Sequence, residues 1–321
     1  VLRPSGAVDA TYLFRWVSSD PFVNELSAAQ DGTMYPAVSD KDVASATIPV
    51  PPLAEQRRIM AKIDSLTGSV FIDTNGNGKR DEWTNPGEPA DPKKDQRINA
   101  PFYAVMPSPV DGSIWGSYRG NPGAVVRVVP GPNPSQTAIT EIYNVPSPGF
   151  GVRGGDIDGN GVVWVSLASG HLGSFDRRKC RGPLRGPTAT GNHCPEGWTL
   201  YKYPGPGFDG IGDNSAEASY YSWVDQHNTF GLGTNVPFST GNLNDGLIAL
   251  KDGKMIVLRV PYPLGFYAKG LDGRIDDATA GWKGRGLWAA AGDRTPWLKE
   301  GGKGSTPFAA QFQLRPNPLA K

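Results

Sequence analysis

The stretches "DGSIWGSYRGNPGAVVRV" (111–128) and "NGVVWVSLASGHLGSFD" (160–176) decide the fold. Each opens with a glycine turn, runs through apolar residues to a tryptophan, and reaches a serine two positions later. Trp115 and Trp164 lie 49 residues apart. Proline–glycine punctuation follows each, "PSPGF" at 146–150 and "PGPGF" at 204–208. The second interval is longer by nine residues, which the loop between Cys180 and Cys194 supplies. A third turn-strand, "DGKMIVL" (252–258), begins 92 residues after its counterpart at 160, close to two further periods. Units of about 40–50 residues built from short strands predict β-propeller blades, because one blade cannot bury both faces of its sheet and must stack on the next. The expected order within a blade is the Trp strand innermost, "VVRVV" or "LGSFD" next, and "EIYNVP" or "WTLYKYP" outside. A β-sandwich with coincidental aromatic spacing is the competing reading.

Composition agrees with many strands and turns. Among 321 residues, 42 are glycine and 30 proline, well above the usual joint share of about 12%. Nine Trp and eleven Tyr argue against disorder. The net charge of +1 gives no global pull toward nucleic acid, anionic membranes or acidic substrates. No apolar run is long enough to span a membrane as a helix. Neither a zinc-type Cys/His cluster, a GxSxG elbow, an HExxH helix nor a phosphate-binding glycine loop occurs. Cys180 and Cys194 read as a disulfide across a turn-rich loop, worth about 3 kcal/mol in an oxidising compartment, or as two free thiols. From residue 101, the length allows four to five blades. The expected fold is thus mainly β: a small or partial β-propeller preceded by a small α/β segment ending in an amphipathic helix. An unclosed ring would leave strand edges open to other chains.

Residues 1–67 differ in character. They are poorer in glycine and hold helical patterns, with Ser39 placed to cap a helix over "DKDVAS" and "ATIPV" expected as a short strand. Pro52 suits a helix first turn, and Leu53, Gln56, Met60 and Ile63 then form a stripe at three-to-four spacing. "IPVPPLAEQRRIMAKIDSL", with "YLFRWVSSDPF" and "GTMYPAVSDKDV" upstream, resembles type I restriction–modification specificity subunits, at the junction between a target-recognition domain and a central helix. The resemblance implies sequence-specific DNA recognition, with Thr33 and Tyr35 as candidate contacts. It also implies docking of a methyltransferase subunit on a helix carrying Leu53, Met60 and Ile63. Only the last part of one recognition domain is represented. Its six basic and eight acidic residues predict weak duplex binding.

Residues 69–321 resemble the propellers of virginiamycin B lyase-like and other streptogramin-lyase-type proteins on the pattern "GxVWVS…G.LG.FD….W..Y..PGP", and a longer family of secreted bacterial propellers on "VVWVSLASGHLGSFDRRKC" and "GFYAKGLDGRIDDATAGWKGRGLW". Such lyases open a cyclic ester by elimination with a histidine base. Of the three histidines, His171 is the candidate; a structural role is the alternative. The resemblance implies an extracellular or periplasmic setting for this part, whereas residues 1–67 imply a cytoplasmic one.

Between the two, "DTNGNGKRDEWT" (73–84) places Asp73, Asn75 and Asn77 at positions 1, 3 and 5 of a calcium-type loop, Gly78 at the sharp turn, and Asp81 at position 9. The Lys79 carbonyl would add an oxygen. Position 12 is Thr84, so Glu82 or Glu88 would complete the shell; a plain Asn-Gly hairpin needs no ion. The expected organisation is residues 1–67 as a recognition fragment with its helix, 68–100 as strand, calcium-type loop and linker, and 101–321 as propeller. The functional expectation is a non-catalytic composite binding protein, with an unidentified small-molecule or surface ligand for the propeller; a propeller lyase is the alternative.

Overall fold

The computed structural model describes residues 6–17, 22, 25–27, 40–53, 55–56, 70–261, 265–274, 285–292 and 308–313. Thr33, Tyr35, Ser39, Met60 and Ile63 lie outside them. The chain divides into two units, Val1–Ser69 and Val70–Lys321. No helix among the described residues is long and apolar enough to cross a membrane.

In the first unit, Asp9 precedes the helix Ala10–Val17 and its Oδ1 accepts the Tyr12 N–H, a side-chain cap for an otherwise orphaned donor. A second helix covers Asp40–Ser45. "ATIPV" joins no sheet: Pro49, Pro51 and Pro52 remove three of the N–H donors a ladder would need. Gln56, read from its spacing as part of an apolar stripe, is instead a buried polar tie. Its Oε1 accepts the Asp9 N–H at 2.8 Å, while its Nε2 donates to the carbonyls of Ala7 (2.9 Å) and Pro51 (2.7 Å). One amide thereby clamps the N-terminal turn against the proline segment.

The second unit is mainly β. Strands β1 (Val70–Ile72), β2 (Trp83–Thr84), β3 (Asp95–Ile98), β4 (Phe102–Pro107), β5 (Ile114–Tyr118), β6 (Ala124–Val129) and β7 (Ile139–Asn144) form one sheet. Its order is β2-β3-β1-β7-β6-β5-β4. A second sheet runs β8 (Val152–Ile157), β9 (Val163–Leu167), β10 (His171–Phe175), β11 (Trp198–Lys202). A third runs β12 (Ser222–Asp225), β13 (Val236–Gly241), β14 (Gly246–Lys251), β15 (Lys254–Arg259). The described part of a fourth holds β16 (Tyr267–Arg274), β17 (Gly286–Gly292) and β18 (Phe308–Phe312). The second, third and fourth sheets, and β4 to β7 of the first, are antiparallel meanders, and short turns set their register: Asp252 and Gly253, both at positive φ, close the two-residue hairpin between Lys251 and Lys254.

Two strand assignments shift, one by a single strand and one by two. The tryptophan strands β5 and β9 are second in their sheets, not innermost, because β4 and β8 precede them. "DGKMIVL" belongs to β15, the last strand of the third sheet, so it is no counterpart of β9. The segment expected as strand and linker extends the first sheet instead, with β1 parallel to β7 and antiparallel to β3.

The sheets pack in series, each sharing one core with the next. Trp115, Val125 and Tyr143 of the first sheet meet Val163, Val165, Phe175 and Trp198 of the second. Leu172 and Trp164 of the second meet Ile248 and Leu250 of the third. Leu247 and Ala249 then meet Phe266, Ala268 and Leu287 of the fourth. The run "LIAL" in β14 is therefore apolar throughout because alternate residues serve cores on opposite faces. Trp115 stacks on Tyr143 of β7 at 6.1 Å and 25°; Trp164 stacks on Tyr201 of β11 at 6.0 Å and 26°. Each pair joins the second strand to the fourth and faces the following sheet. In the third sheet Pro237 pairs with Val224 as Trp164 pairs with Asp156, and the aromatic marker is lost.

Between the first two sheets lies a buried ion cluster. Glu141 on β7 is contacted by Arg177 (2.6 and 2.8 Å), Arg127 (3.2 Å) and Arg185 (3.5 Å), and accepts the Tyr143 hydroxyl (2.8 Å). Arg127 also binds Asp111 at 2.7 Å. Cys180 and Cys194 are disulfide-bonded across the β10–β11 loop, with Cα atoms 5.1 Å apart. That loop carries Arg185 to Glu141 and donates the Gly186 N–H to the Asp73 carbonyl at 2.8 Å.

Burial alone would raise the Glu141 carboxyl, but Arg177, Arg127 and the Tyr143 hydroxyl outweigh it and hold it below the usual range. A lowered folded-state value means that this stabilisation is complete above the ordinary carboxylate range and is lost as pH falls through the folded value. Glu141→Gln is expected to cost about 3 kcal/mol at neutral pH in chemical denaturation, since it takes the buried carboxylate from Arg127 and from the half-buried Arg177 and Arg185. Its stability profile below about pH 4.5 should also be flatter than the parent's. Gln56→Leu should leave one N–H and two carbonyls without their partner. A loss of about 1–3 kcal/mol in amide-exchange protection at Asp9 is expected.

Candidate functional site

The turn leaving β1 is built around Asp73, whose side chain is fully buried. Its Oδ1 accepts the Gly76 N–H and its Oδ2 the Gly78 N–H, both at 2.8 Å. These contacts need the chain to double back, which Gly76 and Gly78 permit at φ of 76° and 75°. Asn75 Oδ1 accepts the Asn77 N–H and Asn77 Oδ1 the Lys79 N–H, at 3.1 and 2.8 Å. The Nδ2 groups of both asparagines donate to Asp81 Oδ2. Asp73, Asn75, Asn77 and Asp81 thus converge, while the Lys79 side chain is exposed.

Neither glutamate expected to complete the shell does so. Glu82 pairs with Lys94 at 3.1 Å, and Glu88 accepts the Asn85 N–H at 2.6 Å. Asp95, a residue not anticipated, stands there instead. The parallel pairing of β2 and β3 sets Trp83 beside Asp95 and carries this wholly buried carboxylate to the turn. Its Oδ2 accepts the Asp81 N–H at 2.9 Å, while its Oδ1 is buried with no hydrogen-bond partner. Burial, then repulsion from Asp73 and Asp81, push its pKa up to about 6 against the Asp81 N–H contact. Among the described residues no three Asp, Glu, His or Cys side chains form a ready-made metal cluster. A cation at this turn would therefore also draw on asparagine and main-chain oxygens.

His171 opens β10, third strand of the second sheet, and is almost wholly buried. Its Nδ1 lies 3.1 Å from Ser169 Oγ and its Nε2 3.3 Å from Asp213 Oδ2, while Asp213 Oδ1 pairs with Lys202 at 3.1 Å. Both ring nitrogens are engaged within the protein. His193 lies in the disulfide loop against Tyr143, 5.1 Å between centroids, and burial lowers its pKa. In the first unit Leu53 begins a helical segment and is 36% exposed, so an apolar side chain there remains open to a partner.

No family model matches the chain. It is 34% identical over 59 residues to the specificity subunit of the type I restriction enzyme EcoDI from Escherichia coli, covering 18% of this chain and 13% of that protein. A catalytically inactive virginiamycin B lyase from Staphylococcus aureus, solved with quinupristin, superposes at a TM-score of 0.39 with 15% identity, over 70% of this chain and 61% of the lyase. A selenomethionine form of virginiamycin B lyase from the same organism gives 0.40 and 14%, over 77% and 74%. A protein of unknown function from Bacteroides caccae gives 0.40 and 13%, over 68% and 66%. At these scores the structural likeness carries no functional argument. What stands is a mainly β, propeller-like second unit and a local likeness to a restriction specificity subunit.

Proposed function

We propose that the chain is a composite binding protein: a truncated DNA target-recognition segment of type I restriction–modification kind, joined near residues 66–69 to a ligand-binding propeller-type unit that performs no catalysis. The observation that carries the non-catalytic reading is the state of His171. A general base must present a free nitrogen within hydrogen-bond reach of its substrate. Here both nitrogens already face Ser169 and Asp213 in a buried strand. Opening of a cyclic ester by the parent protein, abolished in His171→Ala, is the result that overturns this reading in favour of a lyase.

The DNA reading rests on the 59-residue likeness to a restriction specificity subunit. In such a role the helix beginning near Leu53 would meet a methyltransferase subunit. With acidic residues outnumbering basic ones in residues 1–67, duplex binding should be weak. Retention on duplex DNA at about 50 mM salt, lost by about 200 mM, is the expected outcome. No retention at the lower salt removes the DNA role.

Calcium at the turn of Asp73, Asn75, Asn77 and Asp81 belongs to the same proposal. Oxygen ligands on a tight turn suit a hard cation, and the partnerless Asp95 Oδ1 supplies a ligand the loop itself lacks. The disulfide favours an oxidising setting for this unit. Calcium should raise the thermal midpoint, equivalent to about 2.7 kcal/mol at a hundredfold excess over Kd. Asp95→Asn should abolish that gain. An unchanged midpoint in the parent would mean that the turn is a hairpin without an ion.

A further inference from the structure

Three of the four first strands are irregular at their start. Register shifts interrupt β4 between Phe102 and Ala104, β8 between Val152 and Gly155, and β16 between Ala268 and Gly270. The residues within these interruptions include Tyr103, Arg153 and Lys269. An inserted residue re-aims its side chain out of the alternating pattern. The third sheet contributes Tyr220, just before β12, whose carbonyl accepts the Gly154 N–H from the irregular part of β8 at 3.0 Å.

The re-aimed side chains converge. The Arg153 guanidinium lies 4.3 Å from the Tyr220 ring centroid. Lys269 Nζ sits 5.4 Å from Tyr220 and 6.0 Å from Tyr267, and the two tyrosine rings are 5.8 Å apart. Arg119, just beyond β5, is 5.5 Å from the Tyr103 ring. All four sheets thus supply a member.

The chemistry is one-sided. Aromatic faces attract cations without neutralising them. Among the described residues, Arg119, Arg153 and Lys269 form no ion pair. The hydrogen bond from Tyr267 first, then Arg153, Lys269 and Arg119, pull the Tyr220 phenol below its ordinary range despite burial, whereas burial and the same contact with Tyr220 push Tyr267 up to about 12. Elsewhere in this unit buried arginines are matched by carboxylates, as around Glu141. Here three cations are gathered on tyrosines and left without counter-charge.

We propose that Arg119, Arg153 and Lys269, held on Tyr103, Tyr220 and Tyr267 where the first strands begin, form a binding site for the oxyanion group of a small ligand: a carboxylate, sulfate or phosphate. This deepens, and rests on, the reading of the second unit as a ligand-binding propeller. The three anions share the chemistry that guanidinium, ammonium and phenol hydroxyl groups recognise.

The test is calorimetric titration of the full-length protein with malonate, sulfate and inorganic phosphate, with malonamide as the uncharged counterpart of malonate. At least one anion should bind and malonamide should not. Lys269→Gln removes an exposed side chain and should preserve the fold; with Arg153→Gln added, affinity should fall about tenfold or more. Circular dichroism of each variant, matched to the parent, separates this loss from unfolding. Absence of binding by all three anions, or equal affinity in parent and folded variants, overturns the site. Malonamide binding as well as malonate overturns the anion assignment alone and leaves the ligand-binding reading standing.

Discussion

A single carboxylate, Glu141, holds together parts of the second unit that lie far apart in the chain. Arg127 reaches it from the neighbouring strand, Arg177 from the end of β10, and Arg185 from the disulfide loop. A buried ion is costly unless its partners and hydrogen bonds are complete, and a partly satisfied group of this kind destabilises more than an apolar one. The demand for completeness gives the cluster its structural authority. Arg177 and Arg185 must arrive together, so the first sheet, the second sheet and the loop between β10 and β11 are specified jointly. The loop's tether at Gly186 then extends the constraint to the Asp73 turn.

Around this polar point the aromatic packing is repeated with small changes. Trp115 with Tyr143, and Trp164 with Tyr201, tie second strand to fourth in consecutive sheets. The first pair adjoins Phe175 and Trp198 of the next sheet; the second adjoins Ile248 and Leu250. Hydroxyl groups follow the same order. Ser117 accepts the Ala104 N–H, whereas Ser166 and Ser239 join Ser222, and Tyr203 donates to Ser239, in a buried chain between the second and third sheets. The serine that trails each tryptophan thus satisfies a buried polar group near the inner strands, a need that arises wherever backbone regularity breaks.

Reading the sequence located the sheets but misjudged their inner order. Tryptophan spacing is set by which face each strand turns to the next sheet, and this survives in the 49-residue interval between Trp115 and Trp164. It says nothing about whether a less marked strand precedes it. "FYAVMP" and "VRGGDI" lack a tryptophan, and glycine and irregular register weaken their alternation, so the innermost strands were not visible. The turn of Asp73, Asn75, Asn77 and Asp81 was legible for a local reason: its hydrogen bonds join residues at most six positions apart. Asp95 was not, because only the parallel pairing of β2 with β3 brings it there. Gln56 was misread as stripe rather than clamp, since spacing reports the side of a helix and not which groups need partners.

Sequence alone determined the β character of the larger unit, the two strands marked by Trp115 and Trp164, and the local turns, because alternation, glycine placement and short-range hydrogen bonding act between near neighbours. Tertiary structure decided which charges are matched and which are not. Glu141 gathers its arginines, Asp95 is left with a bare oxygen, and Arg153 and Lys269 rest on tyrosines, through strand pairing and register shifts between distant segments. Whether a buried or crowded charge finds its counterpart depends on the whole set of long-range contacts formed at once, and no local pattern encodes that.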